Sequence, residues 1–434
     1  MSSPFTRTVR GMRDLLPDEA EAMRRLEYIA RETARLYGYR EVITPLVEHY
    51  ELLAAKIGEE NRRRMYVFKD LGGRRVALRP EFTASIARLV VTKMMYKPKP
   101  IRLFCTGSLY RYDEPQFGRY REFWQANYEL IGSGRPEADL EILSISRDFM
   151  EKTGLEGYYF KVGHVGILRG LLAHEGIGED EQNAIMQLLD KKEWNKALEI
   201  ARGSGASGRC IKTLKELFEI REEKPNKATE RIMESVDGYE EAIRAAGNLE
   251  AILKLAEDSS LELKLSVEAG FARGLEYYTG LIFEIYVPGM DIALGGGGRY
   301  DRLIELFGGE PTPATGVALG IDRIALAMSK QGLEFKAEEE GRVLVIPLTE
   351  EAVGVAFEVS SILRGAGVLT EVEVMGRRVT RALQDADRRG ITHTILIGSR
   401  ELKEGKITLR DMRTREQKTI NLEEAVKYIR ENID

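Results

Sequence analysis

Residues 110–125 read Tyr110-Arg111-Tyr112-Asp113-Glu114-Pro115-Gln116-Phe117-Gly118-Arg119-Tyr120-Arg121-Glu122-Phe123-Trp124-Gln125, inside a longer stretch, 101–132, of two extended runs around a turn-rich tip. Proline and glycine at the tip mark a long β-hairpin. Side chains alternate along a strand. The second run therefore places Arg119, Arg121, Phe123, Gln125, Asn127 and Glu129 on one face and Tyr120, Trp124, Ala126, Tyr128 and Leu130 on the other. Antiparallel sheets often wet one side, so a solvated surface fits this pattern as well as a site does. The content of the polar face favours a site. Guanidiniums fork onto phosphate oxygens, an aromatic ring can stack on a base, and an amide and a carboxylate can receive N–H groups.

Upstream of the hairpin, Met23, Leu26, Ile29, Ala30 and Ala34 keep helical spacing and predict a helix over 20–36 that stops near Gly38. Residues 41–48 read as a strand interrupted by Pro45, which suits a sheet edge or an interface. Residues 66–80 read as two short strands around Leu71-Gly72-Gly73-Arg74. Downstream, residues 168–260 change to short helical runs and are expected to be a helical insertion. Strand signals resume over 261–286. Gly295-Gly296-Gly297-Gly298 marks a tight turn or a close backbone approach, and a helix is expected from about Asp322. The polar stretch 331–341 is the best linker. Beyond it, Arg342-Val343-Leu344-Val345-Ile346-Pro347 opens a strand–helix alternation that predicts a small α/β domain over 342–434. The expected core is thus 1–167 and 261–330.

With 434 residues, the chain has room for about three domains at ~150 residues each. Hydrophobic residues make up 43% and charged residues 31%, which argues against disorder. No apolar run approaches the ~18 residues of a membrane span, so no membrane association is expected. The N-terminus lacks a secretory layout, and the only cysteines are Cys105 and Cys210, so a cytoplasmic location is expected. A net charge of −5 means that any nucleic-acid surface must be a local patch. His49, His164, His174, His393 and the two cysteines show no ligand spacing, so zinc is not expected. The glycine run lacks P-loop or dinucleotide spacing. No strand-to-helix Gly-x-Ser-x-Gly turn suggests acyl hydrolysis.

Taken together, Tyr110-Arg111-Tyr112-Asp113 and Arg119-Tyr120-Arg121-Glu122-Phe123 resemble motif 2 of class II aminoacyl-tRNA synthetases. Gly320-Ile321-Asp322-Arg323 resembles motif 3, and the segment around Pro45 resembles motif 1. Leu78-Arg79-Pro80-Glu81-Phe82-Thr83, Arg273-Gly274-Leu275-Glu276-Tyr277-Tyr278 and Gly296-Gly297-Gly298-Arg299-Tyr300-Asp301 are similar to signatures of histidyl-tRNA synthetases. Ala386-Asp387-Arg388-Arg389-Gly390 and Ile395-Leu396-Ile397-Gly398 resemble the anticodon-binding module of that subclass.

The resemblance implies an α+β fold: an antiparallel sheet flanked by helices, a helical insertion and a C-terminal α/β anticodon-binding domain, paired as a homodimer. It implies that histidine, ATP with magnesium, and histidine tRNA are the substrates, and it names no magnesium ligands. By matching positions, Arg111 and Arg273 are the catalytic pair at the α-phosphate and histidine carboxylate. Arg119 and Arg323 hold the γ-phosphate end and adenine, with Phe123 stacked beneath the base. Glu81, Thr83 and Gln125 receive the α-amino group. Glu129 and Tyr278 bind the imidazole in a pocket lined by Tyr277 and Tyr300, and Glu114 and Gln116 lie in the loop facing the tRNA acceptor end. Asp113, Trp124, Glu276 and Asp322 stand where the family usually has glutamate, histidine, aspartate and glutamate. Glu114 stands where bacterial members typically carry arginine.

Two other readings compete. The synthetase-like regulatory subunit of ATP phosphoribosyltransferase resembles this core, but it lacks the C-terminal domain and commonly loses signature residues that are present here. A synthetase of the same subclass for threonine, proline or glycine is the other. Threonine calls for a zinc site, and the 273–278 motif argues against the remaining two.

Overall fold

A computed structural model of the chain describes residues 4–55, 57–116, 118–222, 224–333 and 341–432. It divides into two units, Met1–Phe335 and Lys336–Asp434. Residues 334–340 of the expected linker lie outside the described residues.

The first unit is built on a nine-stranded sheet. Its order is Arg40–Glu41, Ile101–Tyr110, Glu122–Ile131, Ala314–Gly320, Gly295–Arg299, Leu281–Tyr286, Tyr159–His164, Leu265–Glu268 and Arg221–Glu222. All neighbours are antiparallel except the first pair and the Tyr159–His164/Leu265–Glu268 pair. The expected hairpin pairs Ile101 with Ile131 through Tyr110 with Glu122. Helices Pro17–Leu36 and Pro136–Thr153 bury Leu26, Ala30, Ile142 and Phe149 in the core that the sheet shares.

The region around Pro45 does not make one strand. Arg40–Glu41 edges the main sheet, while Val47–His49 joins Val67–Lys69 and Arg75–Leu78 in a separate three-stranded sheet. Proline lacks the N–H that a continuous ladder needs. The glycine run is not a turn either. Gly295–Arg299 is an interior strand, and a Cβ at Gly297 would lie 2.1 Å from the Gly316 carbonyl oxygen and one at Gly298 2.2 Å from that of Leu281. Only glycine allows so close a backbone approach.

The helical region begins at Val165 and continues to Asp258 through six helices. It also contributes the edge strand Arg221–Glu222, and its Leu171, Leu214, Leu249 and Ile252 belong to the same hydrophobic core as the sheet. Short helices cannot bury an apolar stripe alone, and these use the sheet's flank. Arg299 locks the sheet to helix Pro136–Thr153: its Nε and Nη2 donate to buried Asp139 Oδ2 at 3.0 and 2.8 Å.

In the second unit, Leu369–Val372, Arg342–Pro347 and His393–Ile397 are parallel neighbours, and Ile407–Asp411 and Gln417–Ile420 extend the sheet antiparallel. Strand alternation sends Val343 and Val345 to helices Ala352–Gly365 and Leu422–Asn432, and Leu344 and Ile346 to helix Val379–Arg388. The result is a three-layer α/β/α unit.

Candidate active site

The hairpin's second strand forms the floor of a cavity of about 140 Å³. Phe123, Gln125, Asn127 and Glu129 line it from this strand, and Arg119 from the segment just before it. Arg121 does not. The chain bends there before the strand begins at Glu122, which breaks the alternation. Arg121 is instead buried over the Tyr112 ring, with its Nε donating to the Asp113 carbonyl at 3.0 Å. Tyr120 and Trp124, assigned by alternation to the far face, also border the cavity.

The other walls come from distant sequence. Glu81 and Thr83 open helix Thr83–Lys93, where the Glu81 carboxylate accepts the backbone N–H groups of Thr83 at 2.6 Å and Ala84 at 2.8 Å. Burial raises the Glu81 pKa against these bonds. Two residues before Glu81 in the same motif, Arg79 is structural, donating to the Thr44 carbonyl at 2.7 Å and to that of Ser108 at 3.2 Å. Arg273, Tyr277 and Tyr278 come from the loop between strands Leu265–Glu268 and Leu281–Tyr286. Tyr300 follows the glycine strand, and Arg323 sits in the first turn of helix Ile321–Lys330.

At one end of the cavity the charges are positive. Arg111 lies 5.2 Å from the Phe123 ring centroid, with its Nε donating to the Pro80 carbonyl at 3.0 Å. Arg323 donates to the carbonyls of Ala293 at 2.8 Å and Gly118 at 3.3 Å. Burial, and then the like charges of Arg111 and Arg119, push Arg323 down to about 10. Cations close enough to depress a neighbour's pKa form a site for a polyanion. Arg273 lies over Gly296, where a Cβ would come within 2.8 Å of its Nη1. Burial opposes its charge, but Tyr278, Glu284, Tyr277 and Asp190 together outweigh that and raise its pKa.

At the other end lies a buried carboxylate. Glu129 accepts from Thr83 Oγ1 at 2.8 Å, from Asn127 Nδ2 at 3.4 Å and from the Tyr300 hydroxyl. Burial pushes it up to about 7. Its strand partner is Gly316, where a Cβ would overlap Glu129 Oε2 at 1.8 Å. Arg273 Nη1 donates to the Tyr278 hydroxyl at 3.1 Å, leaving that hydroxyl's proton free to donate. Burial also raises the Tyr278 pKa, so the proton is present at neutral pH.

Glu114 and Gln116 are exposed at the hairpin tip, outside the cavity. Arg10 pairs with Glu114 at 2.8 Å, and Gln116 bridges to Arg119.

Sequence reasoning missed three contributors. Arg13 lies 3.5 Å over the Tyr120 ring and pairs with Asp322, whose other oxygen accepts the Trp124 backbone N–H at 2.5 Å. Gly316 makes room for Glu129. Glu284, which lines the cavity 3.6 Å from Arg273 Nε, is a carboxylate able to add to a metal carried in on phosphates. Among the described residues no group of three or more His, Cys, Asp and Glu could hold a metal by itself. No helix among them is long and apolar enough to cross a membrane.

The antiparallel sheet with an arginine-lined cavity on its hairpin is the architecture of a class II aminoacyl-tRNA synthetase. A histidyl-tRNA synthetase family model matches residues 11–324, and an anticodon-binding-domain model matches residues 342–432. The histidine–tRNA ligase of Methanocaldococcus jannaschii is 40% identical over 423 residues, 96% of this chain and 98% of that protein. The apo S. aureus histidyl-tRNA synthetase structure is 27% identical with a TM-score of 0.69, over 98% of this chain and 99% of that one. An ATP phosphoribosyltransferase regulatory subunit/histidyl-tRNA synthetase structure from Bacillus halodurans is 25% identical with a TM-score of 0.77, over 92% and 100%. The chain belongs to the histidyl-tRNA synthetase family.

Proposed function

We propose that the chain is a histidine–tRNA ligase in which the positive end of the cavity binds ATP and the Glu129 end binds histidine. The observation that carries this is the joining, in one cavity, of Arg111, Arg119, Arg273 and Arg323 with a buried carboxylate and a phenol that can donate. A histidine carboxylate oxygen attacks the α-phosphorus, a P–O bond forms, and the bond to the β-phosphate oxygen breaks with its electron pair leaving on pyrophosphate. An anion approaching a polyanion needs positioning and charge neutralisation more than a proton acceptor. On this reading Arg111 and Arg273 hold the reacting groups, Arg119 and Arg323 the outer phosphates and base, and Phe123 stacks beneath adenine. Glu81, Thr83 and Gln125 receive the α-amino group. Glu129 accepts the ring N–H, Tyr278 donates to the other ring nitrogen, and Tyr277 and Tyr300 line the ring's pocket. A ribose hydroxyl of the tRNA's 3′-terminal adenosine then attacks the carbonyl carbon and AMP leaves.

Magnesium enters as part of the substrate, MgATP, because magnesium is held by one or two carboxylates plus phosphates. Glu114 and Gln116 face the acceptor stem, and residues 342–432 take the anticodon. The active unit is a homodimer. Ile43, Leu46, Val47, Val67, Phe68 and Leu71 expose apolar side chains around the small sheet, a surface of the kind that a subunit covers. Buried free thiols at Cys105 and Cys210 suit the cytoplasm. ATP–pyrophosphate exchange with each amino acid in turn tests the reading: exchange with histidine supports it, and exchange with another amino acid instead rejects it.

A further inference from the structure

Gln125, Asn127 and Glu129 line the cavity at alternate positions of one strand. Asn127 has no part in the assignments above. It is 1% exposed, and its Nδ2 donates to Glu129 Oε1 at 3.4 Å. A carboxylate only accepts, so the amide nitrogen must be turned toward Glu129 and the oxygen away from it. That oxygen, Asn127 Oδ1, is buried with no hydrogen-bond partner among the described residues, and so is Gln125 Oε1. Buried polar atoms are almost always paired. Two unpaired acceptors on neighbouring residues of a cavity floor belong to a ligand that brings donors.

We propose that Asn127 is a binding residue for the amino-acid substrate: its Oδ1 accepts one proton of the bound α-ammonium group, beside Gln125 and Glu81. This rests on the reading of the chain as histidine-activating. Histidine with a neutral ring carries three ammonium N–H donors and one ring N–H. The acceptors lining the Glu129 end of the cavity include Gln125 Oε1, Asn127 Oδ1, the Thr83 hydroxyl and the carboxylates of Glu81 and Glu129. Glu81 accepts two backbone N–H groups and Glu129 three side-chain donors, and a carboxylate has about four acceptor positions. Glu81 therefore has about two positions left and Glu129 about one. Of these acceptors, the Gln125 and Asn127 oxygens are the ones left unpaired among the described residues, so an ammonium placed between them satisfies both, while Tyr278 donates to the remaining ring nitrogen. Without Asn127 Oδ1, the ammonium loses one of its acceptors.

The competing role is indirect, with Asn127 merely steadying Glu129. Two inhibitors of exchange separate the roles: histidinol, which keeps ammonium and ring, and imidazolepropionate, which keeps ring and carboxylate but has no ammonium. In Asn127→Ala, KM for histidine and Ki for histidinol are expected to rise about tenfold or more, as for loss of one charge-assisted hydrogen bond. KM for ATP and Ki for imidazolepropionate are expected to stay within about twofold. Asn127→Ser, a smaller change, serves if the alanine variant melts early, with the same ordering of effects. Equal weakening of both inhibitors, or of neither, would overturn the proposal. Wild-type protein with no histidine-dependent exchange would overturn the broader reading along with it.

Discussion

Glu129 carries the sharpest residue-scale consequences. Its pKa is raised by burial to about 7 from an ordinary value of 4.5. A carboxyl whose folded-state pKa is raised favours the fold when protonated. Its contribution is fully present below the unfolded value and lost as pH rises through the folded one. The melting temperature of ligand-free wild type should therefore fall relative to Glu129→Gln between about pH 4.5 and 7, and the difference should level off above that. A difference in thermal melts that does not change with pH would mean that Glu129 is not buried as an acid. The same carboxylate makes Gly316 indispensable, because the missing Cβ would sit 1.8 Å from Glu129 Oε2. Gly316→Ala should raise KM for histidine about tenfold or more in pyrophosphate exchange while KM for ATP moves little. Arg273→Ala should instead lower the exchange rate by roughly 10²-fold or more, as expected when a preorganised charge at the reacting phosphate is lost.

At the scale of elements, the hairpin shows what a single sequence can and cannot reveal. Phe123, Gln125, Asn127 and Glu129 were legible because period-two alternation is a local property of a strand, and Arg121 was misplaced because the strand starts one residue later. The partners of Glu129 were not legible as contacts. Thr83 lies 46 residues away and Tyr300 171 away, and nothing local links them. The glycine run announced close approach, but the identity of what approaches depends on strand order. Arg13, 309 residues from Asp322, is the extreme case. Its guanidinium ties the entrance of the hairpin strand, through Tyr120, to the start of the helix that carries Arg323. Arg13→Ala should loosen that junction and raise KM for ATP several-fold in exchange assays, with KM for histidine changed less. The Arg299–Asp139 pair works on stability instead. Arg299→Ala leaves a buried carboxylate unpaired and should cost ~3–5 kcal/mol in chemical denaturation.

Across the whole molecule, charging a tRNA requires more than the adenylate site, and the arginines on and beside helix Val379–Arg388 of the second unit divide into two sets. Arg377 pairs with Glu373 at 3.0 Å and Asp385 at 3.2 Å, and Arg389 pairs with Asp385 at 3.4 Å and with Glu371. These two are engaged inside the fold. Arg381 and Arg388 are exposed on helix Val379–Arg388, seven residues apart, which is close to two turns and puts them on one face. Arg378, just before the helix, is exposed as well. With the chain's net charge at −5, a polyanion must be met by such a local group rather than by the protein's overall field. Replacing Arg381 and Arg388 together with alanine should therefore raise KM for tRNA and leave histidine-dependent exchange unchanged. Each phosphate contact contributes ~0.7–0.9 to the slope of log affinity against log salt, so the double variant should flatten that slope by up to about two. Arg377→Ala and Arg389→Ala should lower thermal stability with little change in the slope. If the double variant charged tRNA with wild-type salt dependence, these two arginines would be a solvated helix face and the tRNA would be held elsewhere.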